Sequence, residues 1–182
     1  MYSPITKLAL PLLLLINLTG NPVVALEDDK LKPIRISADK ALRNEKEGFT
    51  VYSGNVEMEQ GSLRINAKKI TIYRIAEEAD RIVAKGKPAH LQQQPEPGKG
   101  VVQAQAGIIE YYKGEARIHL KQNARIEQDG SKVAGETIDY YIDEQLVKAG
   151  SNRKNVDSRV EVIIPAQNVS KSEGGSGATD RE

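Results

Sequence analysis

The chain has 182 residues, 26 Lys and Arg against 25 Asp and Glu, no Cys, no Trp, one Phe and two His. One domain with a sizeable core fits that length, and the near-zero net charge argues against a nucleic-acid binder. Disulfides, thiolate nucleophiles and Cys-ligated zinc are excluded, and the isolated His90 and His119 argue against a histidine metal site.

Residues 8–16 read LALPLLLLI, preceded by Lys7 and followed by Val23-Val24-Ala25. The run is far shorter than the roughly 20 residues that span a bilayer. Its layout is that of a cleaved secretory signal, and Pro11 and Pro22 disfavour a continuous anchor helix. A mature chain starting near Leu26 is expected to work outside the cytoplasm. It has equal numbers of charges of both signs, since Lys7 is the one charged side chain in residues 1–25.

From Pro33 onward the period is two. Ile34-Arg35-Ile36-Ser37-Ala38, Leu63-Arg64-Ile65-Asn66-Ala67 and Ile70-Thr71-Ile72 alternate apolar or small with polar residues. So do Val102-Gln103-Ala104-Gln105-Ala106, Ala116-Arg117-Ile118-His119-Leu120 and Val160-Glu161-Val162-Ile163-Ile164. Alternation buries one face of a strand and wets the other. Glycines at 48, 54, 61, 86, 114, 130 and 150 read as turns between short strands. The fold class is all-β and antiparallel. Residues 75–81 read as a loop or a single helical turn, and 92–100 as a polar Pro/Gly hairpin loop. Beyond residue 165 the chain is almost free of apolar residues and is expected to be disordered. The domain boundaries are thus 1–25, 26–165 and 166–182.

An internal repeat underlies the pattern. Shifted by 68 residues without a gap, Asn55 meets Asn123, Glu59-Gln60 meets Glu127-Gln128, Ile70 meets Ile138 and Tyr73 meets Tyr141. A finer unit starts at Ala38, Ala67, Ala106 and Gly135, with steps of 29, 39 and 29 residues. The longer step contains the 92–100 loop, which accounts for its extra length. A unit of about 29 residues cannot bury its apolar face alone, but stacked copies can, as a β-solenoid or an elongated jelly roll.

Parity along the strands nominates an apolar strip: Ile34, Ile36, Phe49, Val51, Val56, Met58, Leu63, Ile65, Ile70, Ile72, Leu91, Tyr111, Leu120, Ile126, Val133, Ile138 and Tyr140. Each such side chain contributes roughly 1.5–3 kcal/mol on burial. Ile34, Ile36, Val160, Val162 and Ile164 lie on the terminal strands, whose free edges suit strand addition. No catalytic arrangement stands out: there is no Ser-His-Asp order, phosphate loop or paired carboxylate, and Asp39 and Glu59 read as turn or surface residues.

The stretch Tyr52-Ser53-Gly54-Asn55-Val56-Glu57-Met58-Glu59-Gln60-Gly61, with Leu63-Arg64-Ile65-Asn66-Ala67, Pro33-Ile34-Arg35-Ile36-Ser37-Ala38-Asp39 and Gly86-Lys87-Pro88-Ala89, resembles the OstA-like family over about residues 34–164. The resemblance implies a β-jelly roll of two facing antiparallel sheets, open at both ends, whose interior takes the acyl chains of lipid A, the membrane end of lipopolysaccharide. It implies a periplasmic, non-catalytic bridge without cofactor, self-associating head to tail. LptC would sit at the edge carrying Ile34 and Ile36, and LptD at the edge carrying Val160, Val162 and Ile164. Ile34, Ile36, Leu91 and Tyr111 would line the ligand path, and Arg74 would meet a lipid A phosphate at the groove mouth. The competing reading is a structural or adhesive β-repeat module with a closed core and no ligand.

Overall fold

The structure, a computed structural model, describes residues 29–75, 78–96, 98–151 and 159–166. The expected leader and tail fall outside this range, apart from Ala166. After a short 3-10 turn, Asp29–Leu31, ten strands follow in chain order. They are β1 (Arg35–Ser37), β2 (Lys40–Asn44), β3 (Phe49–Gln60), β4 (Leu63–Ile75), β5 (Glu78–Gln93), β6 (Val102–Tyr112), β7 (Arg117–Gln128), β8 (Ser131–Tyr141), β9 (Leu146–Gly150) and β10 (Glu161–Ile163).

All pairings are antiparallel, in the order β1-β3-β4-β5-β6-β7-β8-β10, with β2 also on β3 and β9 also on β8. The two facing layers expected from the resemblance are therefore halves of one continuous sheet. Each ladder from β3 to β8 shifts register near its middle: at Ser53/Val56, Asn66/Lys69, Lys85/Ala89, Gln105/Ile108 and Lys121/Ala124. Extra residues unpaired in a ladder bend the strands that carry them. Aligned on neighbouring strands, they crease the sheet along one line. The buried apolar side chains from both sides of that line form one cluster. With no long helix among the described residues to cover either half, the halves cover each other.

We name the halves by their edge strands. Wall A comprises 49–53, 69–75, 78–85, 108–112, 117–121 and 137–141, edged by β2 and β9. Wall B comprises 56–60, 63–66, 89–93, 102–106, 124–128 and 131–135, edged by β1 and β10. Two sequence expectations change here. Gly54 and Gly86 are not turns; they lie inside β3 and β5, at the crease. Residues 75–81 hold no helical turn among the described residues, because β4 runs to Ile75 and β5 starts at Glu78.

The 68-residue repeat is visible in the backbone. Left-handed φ angles occur at Gly48 and Ala116, Gly54 and Gln122, Asn55 and Asn123, and Gly61 and Asp129, each pair 68 apart. Gly54-Asn55 and Gln122-Asn123 are the crease residues of β3 and β7. Asn tolerates this conformation better than most residues, which explains the matched asparagines. The matched glutamines are also explained: Gln60 Nε2 donates to the Lys32 carbonyl at 3.0 Å and Gln128 Nε2 to the Gly100 carbonyl at 3.1 Å.

A candidate lipid-binding seam between the walls

Directly opposed residues on neighbouring strands share a face, so the register lists what each wall presents inward. In wall B one rung runs Ile36, Met58, Ile65, Leu91, Ala104, Ile126, Val133, Val162. It is apolar from one edge strand to the other. Wall A contributes Ala41, Tyr52, Ile70, Ala84, Ile109, Leu120, Ile138 and Ala149 as one rung. The next rung toward its rim is Arg43, Thr50, Ile72, Ile82, Tyr111, Ile118, Tyr140 and Val147.

Beside the crease the inward residues shrink to Val56, Ala67, Ala89, Ala106, Ala124 and Gly135. Two walls meeting at an angle leave least room at the crease, so small side chains belong there. Ala67, Ala106 and Gly135, which open three of the four fine repeat units, are among these wedge residues.

Most nominated residues lie on these rungs. Ile34 precedes β1 and, like Ile36, is half-buried against the core. Met58, Ile65, Ile72, Leu91, Tyr111, Leu120, Ile126, Ile138 and Tyr140 are buried. Val162 opposes Val133 and is 54% exposed, and Val160 and Ile164, flanking β10, are exposed too.

Phe49 and Val51 are corrections. They oppose Tyr73 and Thr71 on the outer face, and the Phe49 ring sits 6.4 Å from that of Tyr73. Thr50 and Tyr52, opposite Ile72 and Ile70, point inward instead. The cause is the crease: β3 places an extra residue at Gly54-Asn55, so even-numbered residues face inward on both of its sides. On β4 the inward set switches from Leu63 and Ile65 to Ile70 and Ile72. A signal for this existed. Adding 68 to Tyr52 gives Leu120, an inward residue, whereas adding 68 to Val51 gives the polar His119. Ile82, Ile109 and Ile118 were also missed and are buried in wall A.

Polar groups collect at the rims. Arg74, whose backbone N–H donates to the Gly48 carbonyl, sends Nη2 to the Thr50 hydroxyl at 2.6 Å. Its guanidinium is thereby tied to the inner face at the rim of wall A. The Tyr140 hydroxyl is buried without a hydrogen-bond partner among the described residues. Burial pushes its pKa up, and the charge of Glu96 adds to that. Glu96 lies on the β5–β6 connection, which starts from wall B. The Ser62 hydroxyl bonds both N–H and carbonyl of Gln94, and Gln145 Nε2, at the rim of wall A, donates to Glu96 at 2.8 Å. That connection therefore reaches from one wall to the other across the mouth of the seam.

The outer faces carry charged pairs. On wall A, Asp139 accepts from Arg117 at 3.0 Å and lies 2.8 Å from His119 Nδ1. Hydrogen bonding to Glu115 raises the Arg117 pKa, desolvation opposes this, and the bond to Asp139 adds to the rise. Asp39 accepts from Asn55 at the crease at 3.2 Å, and Glu59 pairs with Arg64 at 3.6 Å on the surface.

The family described as LptA/(LptD N-terminal domain) LPS transport protein matches residues 35–146, from the start of β1 to the first residue of β9. The chain belongs to that family. Among relatives, the lipopolysaccharide export system protein LptH of Pseudomonas aeruginosa is 34% identical over 81% of this chain and 87% of its own. The export system protein LptA of Escherichia coli K12 is 31% identical over 93% of this chain and 92% of its own. The crystal structure of the P. aeruginosa LptH, a periplasmic component of a lipopolysaccharide transport device, superposes with a TM-score of 0.71 at 31% identity. It covers 75% of this chain and 98% of that one. The creased, unclosed sheet is thus the family's fold.

Proposed function

We propose that the protein is a periplasmic component of lipopolysaccharide export that carries the lipid by lodging its acyl chains between walls A and B. The observation that carries this reading is the inner rung of wall B, apolar without a break from Ile36 to Val162. A ligand that slides needs a surface without polar stops, and aliphatic side chains hold acyl chains by area rather than by directed bonds. The family supports the same cargo. The job calls for no catalysis, since a carrier needs only to bind and release.

The terminal strands supply the junctions. One end of the sheet offers the free edges of β1 and β2, the other those of β9 and β10. Leu42 at the first end, and Leu146, Val162 and Ile163 at the second, are exposed. Strand addition there would join LptC at the β1 end and LptD or a second copy at the β10 end. We assign residues 1–25 to a removed signal peptide, 26–165 to the carrier domain and 166–182 to a tail.

The test is site-specific photo-crosslinking with purified lipopolysaccharide. A photoreactive residue at Leu91, Tyr111 or Ile36 is expected to crosslink to the lipid, and one at Phe49 or Thr71, on the outer face, is not. The close packing of the inner face favours a ligand-free repeat module as the second reading. Absence of lipid adducts at all inner positions would establish that reading, and equal adducts from both faces would refute the seam.

A further inference from the structure

Two dibasic stretches, Lys68-Lys69 and Lys85-Gly86-Lys87, are far apart in sequence and read individually as ordinary solvated charges. The fold brings them together. Lys69 opposes Lys85 directly across β4 and β5, on the outer face, since their neighbours Ile70 and Ala84 are buried. Like charges placed opposite each other on a sheet are destabilising. Other cations on this outer face do have partners: Lys121 pairs with Glu110 at 2.9 Å, Arg117 with Glu115 and Asp139, and Lys148 lies over the Tyr141 ring. Lys69 and Lys85 have no ion pair among the described residues.

They border a concavity of about 360 Å³ whose lining also includes Thr71, Tyr73, Val83 and Arg81. The Arg81 guanidinium rests 4.4 Å from the centre of the Tyr73 ring. Stacking holds it in place and uses none of its N–H donors. Three ammonium groups, those of Lys69, Lys85 and Lys121, and one guanidinium therefore border one hollow, against a single acidic side chain, Glu110, which already pairs with Lys121. A phosphate group supplies what is missing, with multiple acceptor oxygens and negative charge for point-charge lysines and an arginine fork.

We propose that this hollow on the outer face of wall A binds a phosphate-bearing ligand, held by Lys69, Lys85 and Arg81. It is separate from the apolar seam, which lies on the opposite face of the same strands. The phosphate belongs either to a soluble phosphorylated sugar or to a lipid headgroup at a membrane surface.

Thermal unfolding tests the site on the full mature chain. Inorganic phosphate at about ten times its Kd is expected to raise Tm by about 3 °C over sodium chloride of equal ionic strength. Lys85→Thr relieves the repulsion, so it should melt about 1–3 °C higher than wild type in chloride. It should also lose the response to phosphate. Lys132→Thr, which removes a lysine paired with Glu127 on wall B, should keep it. Equal shifts with phosphate and chloride, or an undiminished phosphate response in Lys85→Thr, would overturn the proposal. Two further arms separate the sources. Glucose 1-phosphate against glucose reports the soluble ligand, and phosphatidylglycerol against phosphatidylcholine vesicles reports the headgroup. A response to neither phosphorylated probe would also overturn it.

Discussion

Truncating Leu120 measures how firmly the seam is packed when empty. Leu120 is fully buried and lies between Ile109 and Ile138 on the inner rung of wall A, both equally buried. Leu120→Ala removes three carbons, worth about 0.8 kcal/mol each in transfer energy. A residual cavity of roughly 50 Å³ at about 24 cal/mol per Å³ adds about 1.2 kcal/mol. The expected loss is about 3.5 kcal/mol, or about 10–15 °C in Tm for a domain of this size. The contrast is Val51→Ala on the outer face, where no closed cavity forms and the loss should stay below about 1 kcal/mol. Urea unfolding followed by circular dichroism reads both, at a protein concentration low enough that self-association does not add to stability. Equal losses for the two variants, or less than about 1.5 kcal/mol for Leu120→Ala, would refute the assignment of inner and outer faces.

Gly54 has φ +80, and a Cβ there would run into the Asp39 carboxylate, so Gly54→Val should cost about 2 kcal/mol or more, while Asn55→Gly should be nearly neutral in the same urea assay. Tyr140→Phe removes a buried hydroxyl that has no hydrogen-bond partner among the described residues and should raise stability by up to about 1 kcal/mol; a loss above 1 kcal/mol would mean the hydroxyl is bonded after all. For Glu110, burial raises the pKa, but hydrogen bonds from Lys121 and Tyr112 and the charge of Lys121 outweigh it, leaving the value below the ordinary 4.5. A depressed folded pKa contributes stability that is present above the unfolded value and lost as pH falls through the folded one. The stability advantage of wild type over Glu110→Gln should therefore be full at pH 7 and shrink as pH falls below about 4.5, which urea midpoints across that range would show.

Much of this was legible in the sequence because period-two alternation is a direct print of a strand with one buried face. The all-β class, the edge strands around Ile36 and Val162, and most of the inner rungs follow from it. What alternation could not give is the length of the strands. Gly54 and Gly86 look like turn glycines, yet they are the bends of β3 and β5, because a crease and a turn demand the same backbone freedom. That ambiguity cost the facing of Phe49 and Val51: parity read across a bulge is unreliable, and apolar character alone outvoted the buried Thr50. Comparison at the 68-residue offset would have corrected both. The convergence of Lys69 and Lys85 was illegible for another reason, since it depends on the register between β4 and β5 and not on any local pattern.

Every ladder pairing among the described residues joins strands within one wall, and none joins wall A to wall B. The sheet is a folded page with its spine at the crease. Spreading the page sacrifices no backbone hydrogen bond; the work is the exposure of apolar surface, about 25 cal/mol for each Å². On the function proposed above, an acyl chain entering between the walls would cover that surface again. Under that proposal the width between the walls would follow the cargo, and chains of different number and length could be admitted without redesigning the walls.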